Sequence, residues 1–497
     1  MKKCVILLMC MAALVFFVPG TARAADDSEQ AAKAFQEMSD ALQKEPNLSA
    51  ETKEKIKNFG EAVLKMKGSQ GARGGAAARI DEWFKDENRA RLIDQFFGTE
   101  KDKGFLERFT FDGNIRMRYD FTRERHPNPT TLKAGEDVKN ARTDERDQFS
   151  TRLRLGFTYE VNPDMWVGAR LTTGARGDAN TAEASWNNDF SKFEINLDRA
   201  YIRYAPFNTT PLKIGEKADG KLELYVGKFD HYANFYSGPE FWDPDVQPQG
   251  VAGTFKLLPK ECKFIDMAKV SFAKYVVTEE PFNNDASANV GEIGLEKTVD
   301  MKDAGKIKFT AAGSFYDWRD SGNLSGTSSI IGQGPSETFE NGRAGNVFFS
   351  DFRILHAYLN ATYTGIPICG RKQPLSLTYE HINNTTASAH TPDHQSELGR
   401  GYNILLYLGE LKKKGDWQVG YGYFNFQRDS LFTLVSGNDF PWQTNYTGHW
   451  IDVNYKIFDN MTFHMQFFFG EKNFEDNLSP ANGAQDFRIR TEILINF

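Results

Sequence analysis

The chain ends on DFRIRTEILINF, residues 486–497, and that ending sets the expectation for the whole fold. Phe487, Ile489, Thr491, Ile493, Ile495 and Phe497 alternate with Arg488, Arg490, Glu492, Leu494 and Asn496. A period of two puts one set on each face of a β-strand. The strand runs to the last residue and stops on an aromatic. A free end would fray, so an amphipathic strand in that place needs a partner. Pairing with the first strand would close the sheet on itself and remove both edges.

The candidate first strand lies just after Glu107. Phe109, Phe111, Ile115, Met117, Tyr119 and Phe121 alternate with Thr110, Asp112, Asn114, Arg116, Arg118 and Asp120. The next segment repeats the pattern. Phe149, Leu153, Leu155, Phe157, Tyr159 and Val161 face one way, with Ser150, Arg152, Arg154, Thr158 and Glu160 on the other. Alternation over a dozen residues is long for a globular strand and is what a tilted membrane strand needs. Further candidates fall at 164–174, 196–206, 221–229, 249–258, 267–278, 289–299, 305–318 and 351–364. The last six are 373–383, 400–411, 415–427, 447–458, 460–470 and 486–497, which makes sixteen strands.

The connections supply a separate test. Long stretches at 122–147, 175–195, 230–248, 319–350, 384–399 and 428–446 alternate with short ones at 162–163, 259–266, 365–372, 412–414 and 459. A membrane barrel has short periplasmic turns and long external loops in this alternation, whereas a soluble sandwich has no cause for it. Only 207–220 is overlong for a turn. The expected fold is therefore all-β, a transmembrane antiparallel barrel with both ends in the periplasm.

Composition agrees. Mean hydropathy is −0.53, too polar for a helical membrane protein but ordinary for strands that face lipid with every second residue. The 41 Phe, 18 Tyr and 42 Gly suit aromatic girdles, strands and tight turns. A net charge of −7 gives no basic footprint for nucleic acid.

Residues 1–24 have the layout of a signal peptide. Lys2 and Lys3 precede an apolar run from Val5 to Val18, and Ala22-Arg23-Ala24 places cleavage after Ala24. Residues 25–104 are rich in Ala, Lys, Glu and Gln with helical spacing, as in Ala31, Ala34, Phe35, Met38, Ala41 and Leu42. A Gly/Ala linker follows at 68–78. This segment reads as a periplasmic helical appendage, or alternatively as an oligomerisation stalk. The barrel takes 105–497. Of the four cysteines only Cys262 and Cys369 outlast processing. They fall on turns four strands apart, so unpaired thiols are expected.

Several stretches of this alternating region carry a resemblance. TRLRLGFTYEVNPDMWVGARLTT (151–173), NLDRAYIRYAP (196–206), LELYVGKF (222–229) and PQGVAGTF (248–255) resemble a family known as putative porins. That family is itself similar to the phosphate-selective and general porins of Gram-negative outer membranes. Phe497 resembles the terminal signal read by the barrel-assembly machinery there. The resemblance implies an outer-membrane location, outer-membrane lipid as solvent, and passive diffusion of small hydrophilic solutes. It also implies a common homotrimeric state.

The chemistry expected inside follows from the facing. If the apolar set meets lipid, Arg116, Arg118, Arg152, Arg154, Arg170, Arg199, Arg203, Arg488 and Arg490 line the lumen. The inward acids on the same five strands are Asp112, Asp120, Glu160, Asp198 and Glu492, so this wall is basic by nine to five. Such a ladder favours anions, since arginine stays charged and grips phosphate or carboxylate in a fork. The opposing expectation is that the neighbouring acids and loop 230–248 neutralise it. In that loop, Glu240, Asp243 and Asp245 are the candidate constriction carboxylates, on a segment that in general porins folds inward. No zinc, haem, phosphate-loop or nucleophile-elbow motif is present, so no cofactor, metal or catalytic residue is expected. His390 and His394 read as loop polarity. Two other classes stay open: a structural or adhesive barrel with a blocked lumen, and an outer-membrane hydrolase with its site on the barrel wall.

Overall fold

A computed structural model describes residues 106–126, 142–186, 190–279, 285–319, 343–344, 347–348, 350–368, 370–387, 398–440, 443–473 and 486–497. The expected signal peptide, the helical segment 25–104, Cys369, His390 and His394 lie outside them. Sixteen long strands are present. They are β1 Phe109–His126, β2 Arg142–Asn162, β3 Met165–Thr173, β4 Ile195–Tyr204, β5 Ala218–Lys228 and β6 Gln249–Pro259. Then come β7 Met267–Val276, β8 Ser287–Asp300, β9 Lys306–Arg319, β10 Phe352–Ile368 and β11 Arg371–Asn384. The last are β12 Arg400–Gly409, β13 Trp417–Phe426, β14 Tyr446–Phe458, β15 Met461–Lys472 and β16 Asp486–Asn496.

Each strand pairs antiparallel with the next, and β1 pairs with β16, which closes the sheet. The seam shows why the alternation works. Ile115 faces Ile495 and Met117 faces Ile493 on the outer side, while Arg118 faces Glu492 and Asp120 faces Arg490 on the inner side. One register thus matches apolar with apolar and charge with countercharge. The terminal Phe497 exchanges both backbone hydrogen bonds with Gly113, at 2.9 and 3.0 Å. Its ring lies where a Cβ on residue 113 would sit, so the glycine makes the last contact of the seam possible.

The overlong stretch 207–220 has a simple cause. Leu212–Ile214 folds back as a small hairpin onto Ala218–Gly220, a part of β5 that β6 pairs with but β4 does not reach. Asp164 N–H donates to Asn162 Oδ1 at 2.9 Å and makes the β2–β3 turn tight.

The outer surface is apolar, as lipid requires. Phe111, Met117, Leu155, Val226, Phe272, Ile293, Leu359, Ile451 and Ile493 are all exposed. Among the described residues no helix is long and apolar enough to cross a membrane. Charge on the two faces of one strand should therefore cost differently. Ile493→Arg should destabilise the refolded barrel by ~2–4 kcal/mol, and the inward neighbour Leu494→Arg by clearly less. Urea titration in lipid vesicles measures both, and equal costs would refute the facing of β16.

Candidate functional site

The inner faces of β16, β1 and β2 form one basic wall. Arg116 and Arg118 from β1, Arg152 and Arg154 from β2, and Arg488 and Arg490 from β16 all point inward. Arg116 lies directly opposite Arg152 in the register, a like-charge pair that needs compensation. Two acids on the strands supply part of it. Asp120 accepts from Arg490 at 3.0 Å and Arg488 at 3.1 Å, and Glu492 pairs with Arg118 and, at 3.6 Å, with Arg116. The rest comes from three loops. Glu183, between β3 and β4, pairs with Arg116 and sits 3.9 Å from Arg118. Asp245, between β5 and β6, accepts from Arg154 at 2.5 Å and lies 3.7 Å from Arg152. Asp439, between β13 and β14, pairs with Arg490. The other three predicted arginines have partners of their own. Arg170 is held by Asp198 at 2.6 Å, Arg199 by Asp230 at 2.8 Å, and Arg203 by Glu223 at 3.3 Å. Each of the nine arginines therefore meets a carboxylate.

The loop 229–248 folds into the barrel. Its neck is built from Gly227 and Gly250, register partners on β5 and β6, each with a positive φ. A Cβ on either would strike a backbone oxygen of the adjacent strand at 2.3 or 2.1 Å, so only glycine permits this bend. Beyond the neck, aromatic packing holds the loop. His231 is fully buried, stacked on Trp242 at 3.8 Å and on Phe235 at 4.9 Å. Burial holds its imidazole well below the ordinary value, hence neutral. A neutral ring has one donor and one acceptor, which matches the hydroxyls of Tyr275 at 3.0 Å and Tyr316 at 3.2 Å. Further across, Gly238 N–H donates to Glu380 of β11 at 2.6 Å, and Tyr236 N–H to Glu292 of β8 at 3.0 Å. With Asp245 on β2, the loop is tied to walls on both sides of the lumen.

Glu240 and Asp243, expected beside Asp245 as lumen carboxylates, are placed differently. Both are buried against a second inward loop, 427–445. Asp243 N–H donates to Val435 O at 2.7 Å, Gly437 N–H to Glu240 O at 3.1 Å, and Tyr446 Oη–H to Glu240 Oε2 at 3.1 Å. Burial, with Asp439 adding negative charge, pushes the Glu240 carboxyl up to about 8, against the pull of Arg490. Burial raises Asp243 as well, reinforced by Asp245. Burial would also raise Asp245, but Arg154, Arg152 and Arg116 hold it well below the usual carboxylate range. The sequence treated 428–446 only as a long connection. Its apolar run Leu431, Phe432, Leu434 and Val435 was the available signal, because a water-exposed loop has no use for it. All four are buried with Trp318 and Phe352. Glu183 and Asp439 carried no signal of their own. Among the described residues no cluster of His, Cys, Asp and Glu suits a metal ion.

Residues 84–320 match the family described as putative porin. No curated protein sequence matches. Similar solved structures include OprB of Pseudomonas putida, 11% identical over 84% of this chain and 97% of that one, with a TM-score of 0.45. OmpF of Salmonella typhi is 13% identical over 78% and 97%, with a TM-score of 0.43. An anion-selective porin from Comamonas acidovorans is 10% identical over 78% and 99%, with a TM-score of 0.39. The family match points to a channel rather than an enzyme.

Two outcomes follow from the site's charges. Asp245→Asn leaves Arg152 and Arg154 without their shared acid, so the zero-current potential in a KCl gradient should move towards chloride selectivity. An unchanged potential would show that Asp245 does not set the field in the lumen. For pH the sign is opposite at Glu240 and Asp245. The raised Glu240 stabilises the packed loops below its ordinary value, and that support is lost as pH rises through about 8. The depressed Asp245 contributes above the usual carboxylate range and is lost as pH falls below it. Tryptophan fluorescence from Trp242 should thus report loosening above about pH 8 in the wild type, with that limb absent in Glu240→Gln.

Proposed function

We propose that this barrel passes small hydrophilic solutes passively across a Gram-negative outer membrane, along the arginine wall and past the two inward loops. The observation that carries this is a closed barrel of sixteen strands, apolar outside and charged inside. That strand number encloses an aqueous channel unless something fills it. The loops narrow it, and Arg116, Arg118, Arg152, Arg154, Arg170, Arg199, Arg203, Arg488 and Arg490 offer an entering anion a succession of hydrogen-bond donors. Each arginine already shares a carboxylate, so the selectivity is a mild lean towards anions, phosphate or carboxylates among them. Export uses residues 1–24 with cleavage after Ala24, Phe497 is the assembly signal, and three barrels associate.

A specific observation favours a second possibility, a barrel closed at rest. Loops 229–248 and 427–445 share one continuous apolar cluster that includes Phe235, Trp242, Phe432 and Phe440. Planar-bilayer recording of purified protein separates the two. Steady conductance with a permeability ratio that falls in Arg116→Ala and Arg152→Ala supports the channel and the ladder. Silence in the wild type, with conductance appearing after deletion of 431–435, would establish the closed barrel instead.

A further inference from the structure

The outer face of β7–β10 departs from the apolar pattern at its long-loop end. Lys274, Asn289, Asp317 and Arg353 are successive register partners across these four strands. Arg319 stands two residues further along β9 on the same face. Lys274 is exposed, and the side chains of Arg319 and Arg353 are 63% and 58% exposed. Asp317 accepts from Arg319 at 2.8 Å and from Arg353 at 3.2 Å, so one carboxylate fixes two guanidinium groups side by side. Three cations and one acid leave a net charge of +2.

The next row towards the membrane centre is Phe272, Gly291, Phe315 and Leu355, again register partners. Phe272, Phe315 and Leu355 are exposed and face hydrocarbon. The cations therefore sit directly above acyl chains, at the level where a bilayer presents its headgroups. Charge facing lipid is costly at the membrane centre and tolerable only near the interface, where it can meet a counterion.

We propose that this row is a binding site for a multiply phosphorylated glycolipid of the outer leaflet. Its phosphates would sit on Lys274, Arg319 and Arg353, with its acyl chains on Phe272, Phe315 and Leu355. Three features select this occupant. The four strands span ~14 Å, room for more than one phosphate. Arginine grips phosphate oxygens in a fork, and Asp317 holds both forks ready. The continuous apolar row below calls for a ligand with hydrocarbon attached to its phosphates. The site lies outside the barrel and is independent of the lumen. It requires only that the barrel stand in a membrane.

Native mass spectrometry of the purified mature protein in detergent tests this, with lipid A as the probe. Wild type should retain lipid A at least tenfold more tightly than the variant Lys274→Gln/Arg319→Gln/Arg353→Gln. Dephosphorylated lipid A should bind wild type no better than it binds the variant. Single-channel behaviour and heat-modifiable migration should stay unchanged, which separates failure of this site from failure of the channel. Should the triple variant not fold, Lys274→Gln alone, which leaves the Asp317 pairs intact, should weaken lipid A about threefold. Equal retention by wild type and variant would overturn the proposal. So would full displacement by inorganic phosphate, which marks a free-anion site. A change in oligomeric mass at unchanged lipid binding would reassign the face to contact between barrels.

Discussion

Six arginines on three adjacent strands inside a closed barrel pose an electrostatic problem that the strands alone do not solve. Arg116 and Arg152 are direct neighbours, and from β1 and β16 Asp120 and Glu492 pair with the wall. Charges removed from bulk water need partners close by, or the wall pays for both repulsion and lost hydration. Glu183, Asp245 and Asp439 supply those partners, one from each of three loops. The inward fold of these loops and the basicity of the wall are thus one feature. Each carboxylate sits on a segment that would otherwise extend into water, and each is drawn to the same side of the lumen.

The opposite ends of those loops are held by different physics. On the β7–β11 side, the 229–248 loop is packed through His231, Phe235, Phe241 and Trp242 against Tyr275, Tyr316 and His356. Aromatic burial there is insensitive to salt, whereas the ion pairs on the β1–β2 side are partly screened. An ion passing through competes only for the second set. Binding to Arg152 or Arg154 must displace Asp245 in part, which weakens the grip of the loop at one end while the aromatic end stays fixed.

How much of this was legible in the sequence follows from what repeats. The strands were legible because alternation is local: each of the sixteen observed strands overlaps one read from the periodicity. The same period sets the wall arginines of each strand on one face, opposite its apolar residues. What the period cannot give is where a loop goes, since a loop's destination depends on partners distant in the chain. Asp245 meets Arg154 across 91 residues, and Asp439 meets Arg490 across 51. Their own loop, read by itself, points Glu240 and Asp243 to the lumen. The companion loop that covers them, and the β14 residue Tyr446 whose hydroxyl donates to Glu240, come about two hundred residues later. Its apolar Leu431–Val435 run was visible, yet nothing local said whether it met lipid, another barrel or the lumen.

The pairing of every wall arginine changes what the wall can do. An unpaired ladder would attract anions by net charge over many ångströms. A paired one presents dipoles, and its preference arises only at contact, where an anion takes over hydrogen bonds that a carboxylate was accepting. Selectivity of that kind depends on fit and on exchange between partners more than on long-range field. The five carboxylates around six guanidinium groups leave the wall close to neutral, so a passing cation is not strongly repelled either. The nearly balanced wall suits a route for small solutes of either sign, with the bias set by whichever carboxylate yields first. Asp245 is the natural one, because it alone bridges two arginines of β2 from the end of a loop.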